Sequence, residues 1–243
     1  MKGIILAGGN GSRLYPLTKL LNKHLLPVGK HPMINYGIER LRSAGIKDLI
    51  IVIGKISASL YTNYFGSGSQ MGVRISFIIQ EESGGIAQAL AMTEPYLVKG
   101  EKFVVLLGDN LFTDALNPFV EAFEQQGSEE AKILLKKVSD TRRYGVPVFD
   151  SKQPELIAKV EEKPKRPQSD YCVTGIYMYD TAVFEHIRAI TPSARGELEI
   201  TDVNNRYASS GKLHYDVLQG WWIDAGTFES LQEAARKLKG IHP

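Results

Sequence analysis

The chain has 243 residues, of which 43% are hydrophobic and 23% are charged, and its formal net charge is +2 at pH 7. This length and composition are ordinary for one globular α/β domain. The near-neutral charge argues against a protein that binds nucleic acid or a membrane surface, and no apolar stretch approaches the roughly 20 residues of a membrane span. The N-terminus does not resemble a signal peptide. The single cysteine, Cys172, excludes an internal disulfide and suits a reducing cytoplasm.

Strands and helices alternate over roughly the first half of the chain. Apolar runs predict strands at residues 3–7, 49–53, 73–79 and 103–107. Helical spacing predicts helices at residues 34–44, 57–65, 86–96 and 117–126. This alternation argues for a parallel sheet wrapped by helices, with ligands bound outside the carboxyl ends of the strands.

After residue 131 the pattern changes to short strands joined by polar turns. The predicted strands cover residues 133–138, 146–149, 158–160, 172–179 and 213–217. The predicted helices cover residues 181–190, 200–209 and 228–238. We expect these later strands to extend the same sheet and to form a flap over its open end.

A glycine-rich turn follows the first predicted strand. Gly8, Gly9 and Gly11 can adopt φ > 0, and they carry no Cβ that would block a ligand. Successive backbone N–H groups in such a turn can point at one anion. Arg13 and Lys23 then add a guanidinium and an ammonium group, so the segment predicts a polyphosphate site. A tight turn without a ligand is the alternative.

Two better-known glycine loops are excluded. The dinucleotide fingerprint requires a third glycine at the position that Leu14 occupies. The P-loop requires Gly-Lys followed by Ser or Thr, and none of the Gly-Lys pairs in this sequence has that continuation. The long segment 8–32 has little predicted structure, but its leucines argue against disorder, so we interpret it as a partly anchored lid.

The order of motifs along the chain resembles that of a known family, the sugar nucleotidyltransferases. The first motif is Gly8-Gly9-x-Gly11-x-Arg13-Leu14, followed by Asn22-Lys23-x-Leu25-Leu26-Pro27-Val28. Further matching positions are Gln80, Gly108-Asp109-Asn110, Tyr144-Gly145-Val146, Glu161-Glu162-Lys163-Pro164, Thr174-Gly175 and Trp222-Ile223-Asp224-Ala225-Gly226. The resemblance covers nearly the whole chain in order, which makes it far more specific than any single motif.

The resemblance implies a fold and a reaction. The fold would be that of the nucleotide-diphospho-sugar transferases: a Rossmann-like, mostly parallel or mixed central sheet flanked by helices, with a small β-rich sugar-binding flap. One domain would span 1–243, with a nucleotide-binding half at 1–130 and a sugar-phosphate-binding half at 131–243. The members that these motifs resemble convert dTTP and α-D-glucose 1-phosphate into dTDP-glucose and pyrophosphate, the first step of dTDP-rhamnose and deoxysugar synthesis for cell-surface polysaccharide. The alternatives are another base or sugar, for example a uridylyltransferase, or a nucleotide-sugar sensor without turnover.

The resemblance also implies roles for individual residues. Arg13 would grip the leaving phosphates, and Lys23 would neutralise charge at the α-phosphate. The nucleotide-binding residues would be Leu6, Ala7, Gly8, Gly9, Gly11, Ser12, Arg13, Gln80, Gly85 and Asp109. The sugar-phosphate-binding residues would be Asn110, Tyr144, Gly145, Glu162, Lys163, Thr174, Gly175 and Arg195. Arg195 would order the sugar pocket together with Glu197. His24 is interpreted as a neighbour of Lys23 without a catalytic role.

Asp109 and Asp224 are the candidate metal ligands. Each follows an apolar, strand-like run, where a carboxylate is costly unless it is paired or bound to a metal. Mg²⁺ is typically held by one or two carboxylates together with substrate phosphates. The sequence therefore predicts Mg²⁺ as the cofactor; a role as helix N-cap is the alternative for each residue.

Two expectations concern assembly. Apolar helix faces and sheet additions like those that pair subunits in the family predict a homodimer or homotetramer. Longer family members continue past the position of Pro243 with helices that help to build a second, regulatory nucleotide site, so we expect such a site to be reduced here.

Overall fold

The computed structural model describes residues 1–239. The strands are β1 (Lys2–Ala7), β2 (Pro27–Val28), β3 (His31–Pro32), β4 (Asp48–Gly54), β5 (Arg74–Gln80), β6 (Lys102–Leu107), β7 (Asn110–Phe112), β8 (Ala131–Lys137), β9 (Gly145–Phe149), β10 (Ile157–Glu162), β11 (Tyr171–Asp180), β12 (Leu213–Val217) and β13 (Trp222–Asp224). The α-helices are α1 (Met33–Ser43), α2 (Ala58–Phe65), α3 (Ile86–Ala91), α4 (Asn117–Glu124), α5 (Val183–Arg188), α6 (Ile200–Ser209) and α7 (Phe228–Lys237).

The central sheet is mixed, as predicted. Its strand order is β12-β8-β11-β6-β1-β4-β5. The pairs β1–β4, β4–β5 and β8–β12 are parallel, and β8–β11 is antiparallel. β9 and β10 form a separate two-stranded antiparallel sheet at the sequence position of the predicted flap. The predicted fold class is therefore confirmed.

Most predicted elements are confirmed within a few residues, with two instructive differences. The helix predicted at 86–96 ends at Ala91. Only a 3-10 turn, Glu94–Tyr96, follows it, because Pro95 lacks the N–H that would donate to the carbonyl of Ala91 in a continued α-helix. The strands β7 and β13, each three residues long, were not among the predicted strands, although the run before Asp224 is described above as strand-like. They pair antiparallel to each other and therefore lie side by side.

Segment 8–32, predicted to have little structure, contains 3-10 turns and the short hairpin of β2 and β3. The turns are Ser12–Leu14, Leu17–Lys19 and Lys23–Leu25. Leu14 and Val28 are fully buried, whereas Leu20 is 85% exposed. The segment is thus anchored near both ends and most exposed around Leu20. Its role as a lid stays a prediction.

The chain folds into two compact units, each made of separated segments. Of the described residues, unit 1 contains 1–83, 106–118 and 220–239, and unit 2 contains 84–105 and 119–219. The functional division at residue 130 stays a prediction. Between residues 1 and 239, the structure contains no helix long and apolar enough to cross a membrane.

A hydrophobic cluster in unit 1 supports the two short strands. Leu111 on β7 and Ile223 on β13 pack with Met33 and Tyr36 of α1 and with Ala234 of α7. These side chains are almost completely buried, which removes apolar surface from water and stabilises the pair of strands. The cluster therefore holds in place the backbone that carries Asn110 and Asp224.

Candidate active site

In unit 1, the glycine turn makes room for side chains of the chain itself. Gly11 has φ 63°, in the left-handed region that favours glycine. A Cβ at Gly11 would lie 3.0 Å from Cβ of Lys23, and a Cβ at Gly8 would collide with Oε1 of Gln80. A Cβ at Gly9 would lie 3.7 Å from Cε of Lys23. The stem of Lys23 therefore runs along the turn, so the turn and the lysine form one structural feature.

The side chain of Lys23 contacts the carboxylate of Asp109. Its Nζ forms an ion pair and hydrogen bond with Oδ2 of Asp109, and the two side chains are only 14% and 8% exposed. Burial acts to raise the pKa of Asp109, but the charge of Lys23 together with the hydrogen bonds from Lys23 and Asn110 outweighs it and holds that pKa well below its ordinary value. Asp109 is therefore ionised, and it forms a buried ion pair with Lys23 beside the glycine turn.

His24 lies under this pair and carries no charge. It is 2% exposed, and burial together with the charge of Lys23 lowers its pKa to about 3. A Cβ at Gly108 would lie 2.8 Å from Cδ2 of His24, so the imidazole fills the space that this glycine leaves. The geometry agrees with the interpretation of His24 as a packing neighbour of Lys23.

Asp224 lies beside Asp109 because β13 pairs with β7. Asp224 is the register partner of Asn110, and the N–H of Ala225 donates to the carbonyl of Asp109 at 2.9 Å. Burial, followed by the negative charge of Asp109, raises the pKa of Asp224. Arg13 also approaches, with Nη2 4.0 Å from Oδ2 of Asp224. The structure thus brings together Arg13, Lys23 and the two candidate metal ligands.

These two carboxylates suit a divalent cation. They are neighbouring, largely buried oxygen ligands. Burial and then repulsion by Asp109 raise the pKa of Asp224, and a cation between the two carboxylates would offset both effects. No group of three or more His, Cys, Asp or Glu side chains lies close enough to hold a metal anywhere in residues 1–239. Further ligands would have to come from a bound phosphate or water.

The other nucleotide-binding candidates lie in both units. Leu6 and Ala7 are buried at the end of β1, so only their backbone is available to a ligand. Ser12 is exposed in the first 3-10 turn. Gln80 is 4% exposed at the end of β5 and covers Gly8. Gly85 belongs to unit 2, where its φ of 99° lets it pack against the backbone of Leu198.

The side-chain amide of Asn110 forms hydrogen bonds within unit 1. Its Oδ1 accepts a hydrogen bond from Nε1 of Trp222 at 2.6 Å, and its Nδ2 donates to Oδ1 of Asp109 at 3.2 Å. Asn110 therefore helps to orient the carboxylate of Asp109. Its predicted role in sugar binding stays a prediction.

In unit 2, Glu162 and Lys163 form the centre of the predicted sugar-phosphate group. Nζ of Lys163 lies 2.7 Å from Oε1 of Glu162, and Thr201 donates to Oε2 at 2.6 Å. Burial acts to raise the pKa of Glu162, but these two hydrogen bonds together with the charges of Lys163 and Arg195 outweigh it and lower that pKa. Lys163 has φ 47°, an uncommon conformation for a residue with a side chain and one that clusters at functional sites.

Arg195 joins this group from the loop before α6. Its guanidinium donates to both carboxylate oxygens of Glu199, at 2.8 and 3.0 Å. It also lies 3.6 Å from Glu197 and 4.0 Å from Glu162. The predicted pair of Arg195 and Glu197 is thus close in space. Glu199 and Thr201, which were not predicted, hold Arg195 and Glu162 in place.

The remaining sugar-site candidates contact the unit 2 framework. The hydroxyl of Thr174 is buried and donates to the carbonyl of Leu134 at 2.7 Å, and Gly175 follows it where the β8–β11 register shifts. Gly145 opposes Glu162 in the β9–β10 ladder. The N–H of Lys163 donates to the carbonyl of Tyr144 at 3.0 Å. Tyr144 and Gly145 therefore lie beside the Glu162–Lys163 pair.

The sequence analysis placed Asn22 in a family motif without giving it a role, and it did not single out Tyr61. The hydroxyl of Tyr61 donates to Oδ1 of Asn22 at 2.9 Å, and that oxygen also accepts the N–H of His24 at 3.0 Å. The strong preference of asparagine for helix N-caps could have indicated Asn22. No pattern in α2 distinguishes Tyr61 from an ordinary core residue.

Comparison with known proteins identifies relatives over almost the full length. The Nucleotidyl transferase family matches residues 2–240. A glucose-1-phosphate thymidylyltransferase from Xanthomonas campestris pv. campestris is 42% identical over 247 residues, covering 99% of this chain and 81% of the relative. The enzyme of the same name from Neisseria gonorrhoeae is 40% identical, covering 97% of this chain and 81% of the relative.

Solved structures give the same result for the fold. The crystal structure of a Bacillus anthracis protein in complex with sucrose superposes with a TM-score of 0.93 at 49% identity, covering 100% of this chain and 97% of that one. A UDP-glucose pyrophosphorylase structure superposes with a TM-score of 0.86 at 24% identity, covering 99% of each chain. The second match bears on the fold alone.

Proposed function

Because this chain belongs to the Nucleotidyl transferase family, we propose that it transfers the thymidylyl group of dTTP to glucose 1-phosphate, with dTDP-glucose and pyrophosphate as products. The observation that carries the proposal is the cluster of Arg13, Lys23, Asp109 and Asp224 at the glycine turn, in a chain about 40% identical to thymidylyltransferases.

The reaction needs positioning and positive charge more than proton transfer. A phosphate oxygen of glucose 1-phosphate attacks the α-phosphorus of dTTP, and the bond from that phosphorus to the β-phosphate oxygen breaks. The attacking oxygen is already ionised, so no general base is required. Two anions must approach each other while charge grows on the leaving pyrophosphate, so fixed cations are the main source of catalysis.

Arg13 and Lys23 supply those cations in unit 1. A guanidinium suits two-point contact with phosphate oxygens, which fits Arg13 as the ligand of the leaving β- and γ-phosphates. An ammonium acts as a point charge, which fits Lys23 at the α-phosphate. Gly8, Gly9, Gly11 and Ser12 would offer backbone N–H groups to the triphosphate. Leu6 and Ala7 would contribute backbone atoms only.

We propose Mg²⁺ as the metal and Asp109 and Asp224 as its protein ligands. A bound Mg²⁺ would withdraw charge from the phosphate oxygens at the reacting phosphorus. Asp109 accepts hydrogen bonds from Lys23 and Asn110, which fix the direction of its two oxygens. Asp224 is oriented by the N–H of Gly226, which donates to Oδ1 at 3.0 Å.

Unit 2 would hold the sugar phosphate. Lys163 would bind the phosphate, and Glu162 would accept hydrogen bonds from sugar hydroxyls. Tyr144, Gly145, Thr174 and Gly175 would line the sugar pocket. Arg195, held by Glu199, would order this set. Asn110, in unit 1, stays a separate candidate for sugar binding.

A pyrophosphate-release assay tests the proposed function. Purified protein is given Mg²⁺, each of dTTP, UTP, ATP and GTP, and each of several sugar 1-phosphates. We expect the highest kcat/KM with dTTP and glucose 1-phosphate, and dTDP-glucose as the product by mass spectrometry. A preference for UTP or for another sugar would make the chain a different sugar nucleotidyltransferase, and no turnover with any pair would favour a sensor.

Base selection should favour pyrimidines through Gln80. The buried amide at the end of β5 offers one donor and one acceptor, which complements the imide edge of thymine or uracil. We expect kcat/KM to fall further for ATP and GTP than for UTP. UTP lacks the thymine methyl group, which is worth about 10- to 200-fold, and carries a ribose 2′-hydroxyl that dTTP lacks. Gln80→Glu removes the amide N–H donor, so the ratio of kcat/KM for dTTP to kcat/KM for ATP or GTP should fall. Equal use of purines by the parent protein would refute this prediction.

Lys163→Ala should act on sugar-phosphate binding. Lys163 is 46% exposed, and removal of one solvent-accessible charged contact to a phosphate should raise KM for glucose 1-phosphate by about tenfold, with kcat changed less. Lys165→Ala, two positions further in the same basic loop, is the matched control and should leave both constants unchanged. A Lys163→Ala effect confined to KM for dTTP would show that the assignment is wrong.

We also propose a cytoplasmic homodimer or homotetramer that begins deoxysugar synthesis such as that of dTDP-rhamnose. The single, buried Cys172 suits a reducing compartment. Multi-angle light scattering measures the assembly, and a monomer at assay concentration would refute the oligomer.

A further inference from the structure

The side chain of Asn22 connects three parts of unit 1. Its Oδ1 accepts from the Tyr61 hydroxyl at 2.9 Å and from the N–H of His24 at 3.0 Å, and it lies 2.8 Å from Nδ1 of His24. Its Nδ2 donates to the carbonyl of Ala7 at 3.2 Å and lies 3.5 Å from the carbonyl of Gly9. One amide thus joins α2, the 3-10 turn of Lys23 and the glycine turn.

Tyr61 fixes the far end of this network. It is fully buried, with its ring 6.0 Å from that of Phe65 and 6.4 Å from that of Phe77. Its hydroxyl therefore has little freedom to move. Because a buried donor must keep its partner, the hydroxyl restrains the rotamer of Asn22.

The network fixes the backbone at Lys23 and the glycine turn against which the lysine stem packs. Asn22 caps the turn in which Lys23 is the first residue, so it sets the backbone from which the lysine starts. The carbonyls of Ala7 and Gly9 belong to the strand end and turn along which the lysine stem passes. A rotation of the Asn22 side chain would disturb the base of the lysine and the surface that guides it to Asp109.

We propose that Asn22, restrained by the Tyr61 hydroxyl, is a positioning residue that aims the Lys23 ammonium. Neither residue touches the substrate in this proposal; both act through Lys23. The inference rests on the proposed function for its kinetic consequence. Its structural consequence, a fixed Lys23, can be measured without turnover.

The kinetic test compares two chemically matched substitutions. Tyr61→Phe removes a buried hydroxyl that donates to an asparagine Oδ1. Tyr179→Phe does the same in unit 2, where the hydroxyl of Tyr179 donates to Oδ1 of Asn204 at 2.5 Å. Both variants should lower Tm. Only Tyr61→Phe should lower kcat, by about three- to tenfold, the size expected for one lost hydrogen bond, with KM for both substrates within about twofold.

Repeating Tyr61→Phe in the Lys23→Met variant separates an effect on the position of Lys23 from an effect on stability. In Lys23→Met, Tyr61→Phe should cause no further fall in the single-turnover rate, because the group that it positions is gone. Asn22→Asp keeps Oδ1 but turns an oxygen toward two carbonyls, so it should lower kcat more than Tyr61→Phe does. The same fold-loss from Tyr61→Phe in both backgrounds, or an unchanged kcat, would overturn the proposal.

Lysine labelling tests the inference independently of activity. Trace acetylation followed by mass spectrometry reports the reactivity of Lys23 relative to Lys132, a buried lysine of unit 2. Tyr61→Phe should raise the relative labelling of Lys23 several-fold, and Tyr179→Phe should not. If the parent protein shows no turnover, the proposed function fails while this readout still decides the inference. Unchanged Lys23 labelling in Tyr61→Phe would overturn it.

Discussion

Asp109→Asn should lower kcat by about 100- to 1,000-fold at saturating substrates, the usual cost of losing one preorganised electrostatic contact to a transition state. Asp109 would hold the metal, and it also fixes the ammonium of Lys23, so an amide weakens both. The measurement is pyrophosphate release over a range of Mg²⁺ concentrations. We expect a higher Mg²⁺ requirement as well as a lower maximum rate.

The control must separate chemistry from stability, because Asp109→Asn leaves Lys23 without its buried counter-charge. Loss of one partner from a buried ion pair costs about 3–5 kcal/mol in general, so Tm should also fall. Asp216→Asn removes the carboxylate that pairs with the buried Lys132 in unit 2, so it should lower Tm and keep normal kcat. Asp224→Asn should repeat the Mg²⁺ effect. Either site variant with near-normal activity at limiting Mg²⁺ would remove that residue from the metal site.

The long apolar strands were predictable because they are buried on both faces. In β1 and β4, nearly every side chain is buried, so the strands appear in the sequence as continuous apolar runs. Such runs need no knowledge of their partners. β7 and β13 carry only three residues each, too few for any period, and they exist because they pair with each other. Pairing between distant segments is not visible in the local pattern of either segment.

The same difference between local patterns and contacts of distant segments explains which parts of the site were predictable. The glycine turn, Lys23 and Asp109 follow from local chemistry: a turn after a strand, nearby cations, and a carboxylate at the end of an apolar run. The contact between Lys23 and Asp109 joins residues 86 positions apart. The contact between Asn22 and Tyr61 joins residues 39 positions apart. The sequence therefore indicated which groups carry the chemistry, but not which neighbours orient them.

Lys23→Met should produce the other large kinetic effect, a fall in kcat of about 100- to 1,000-fold with a small change in KM for glucose 1-phosphate. Methionine keeps much of the stem that lies against Gly11 and Gly9, and it removes the ammonium group with its charge and its hydrogen bond to Asp109. Because negative charge grows on the phosphates in the transition state, an ammonium at the α-phosphate contributes more there than in the ground state. The measurement is a full kinetic analysis beside Lys163→Ala, which should show the opposite division between kcat and KM.

A buried lysine in unit 2 supplies the matched control for this prediction. Lys132 is 7% exposed and pairs with Asp216 at 2.7 Å, so Lys132→Met also removes the cation of a largely buried pair. It should lower Tm without lowering kcat, because no reacting phosphate depends on it. If Lys23→Met and Lys132→Met reduce kcat equally, the effect of Lys23 is one of stability. If Lys23→Met and Lys163→Ala instead show the same kinetic pattern, the two lysines do not serve different phosphates. A selective loss of kcat in Lys23→Met would assign its ammonium to the charge that develops as the bond to pyrophosphate breaks.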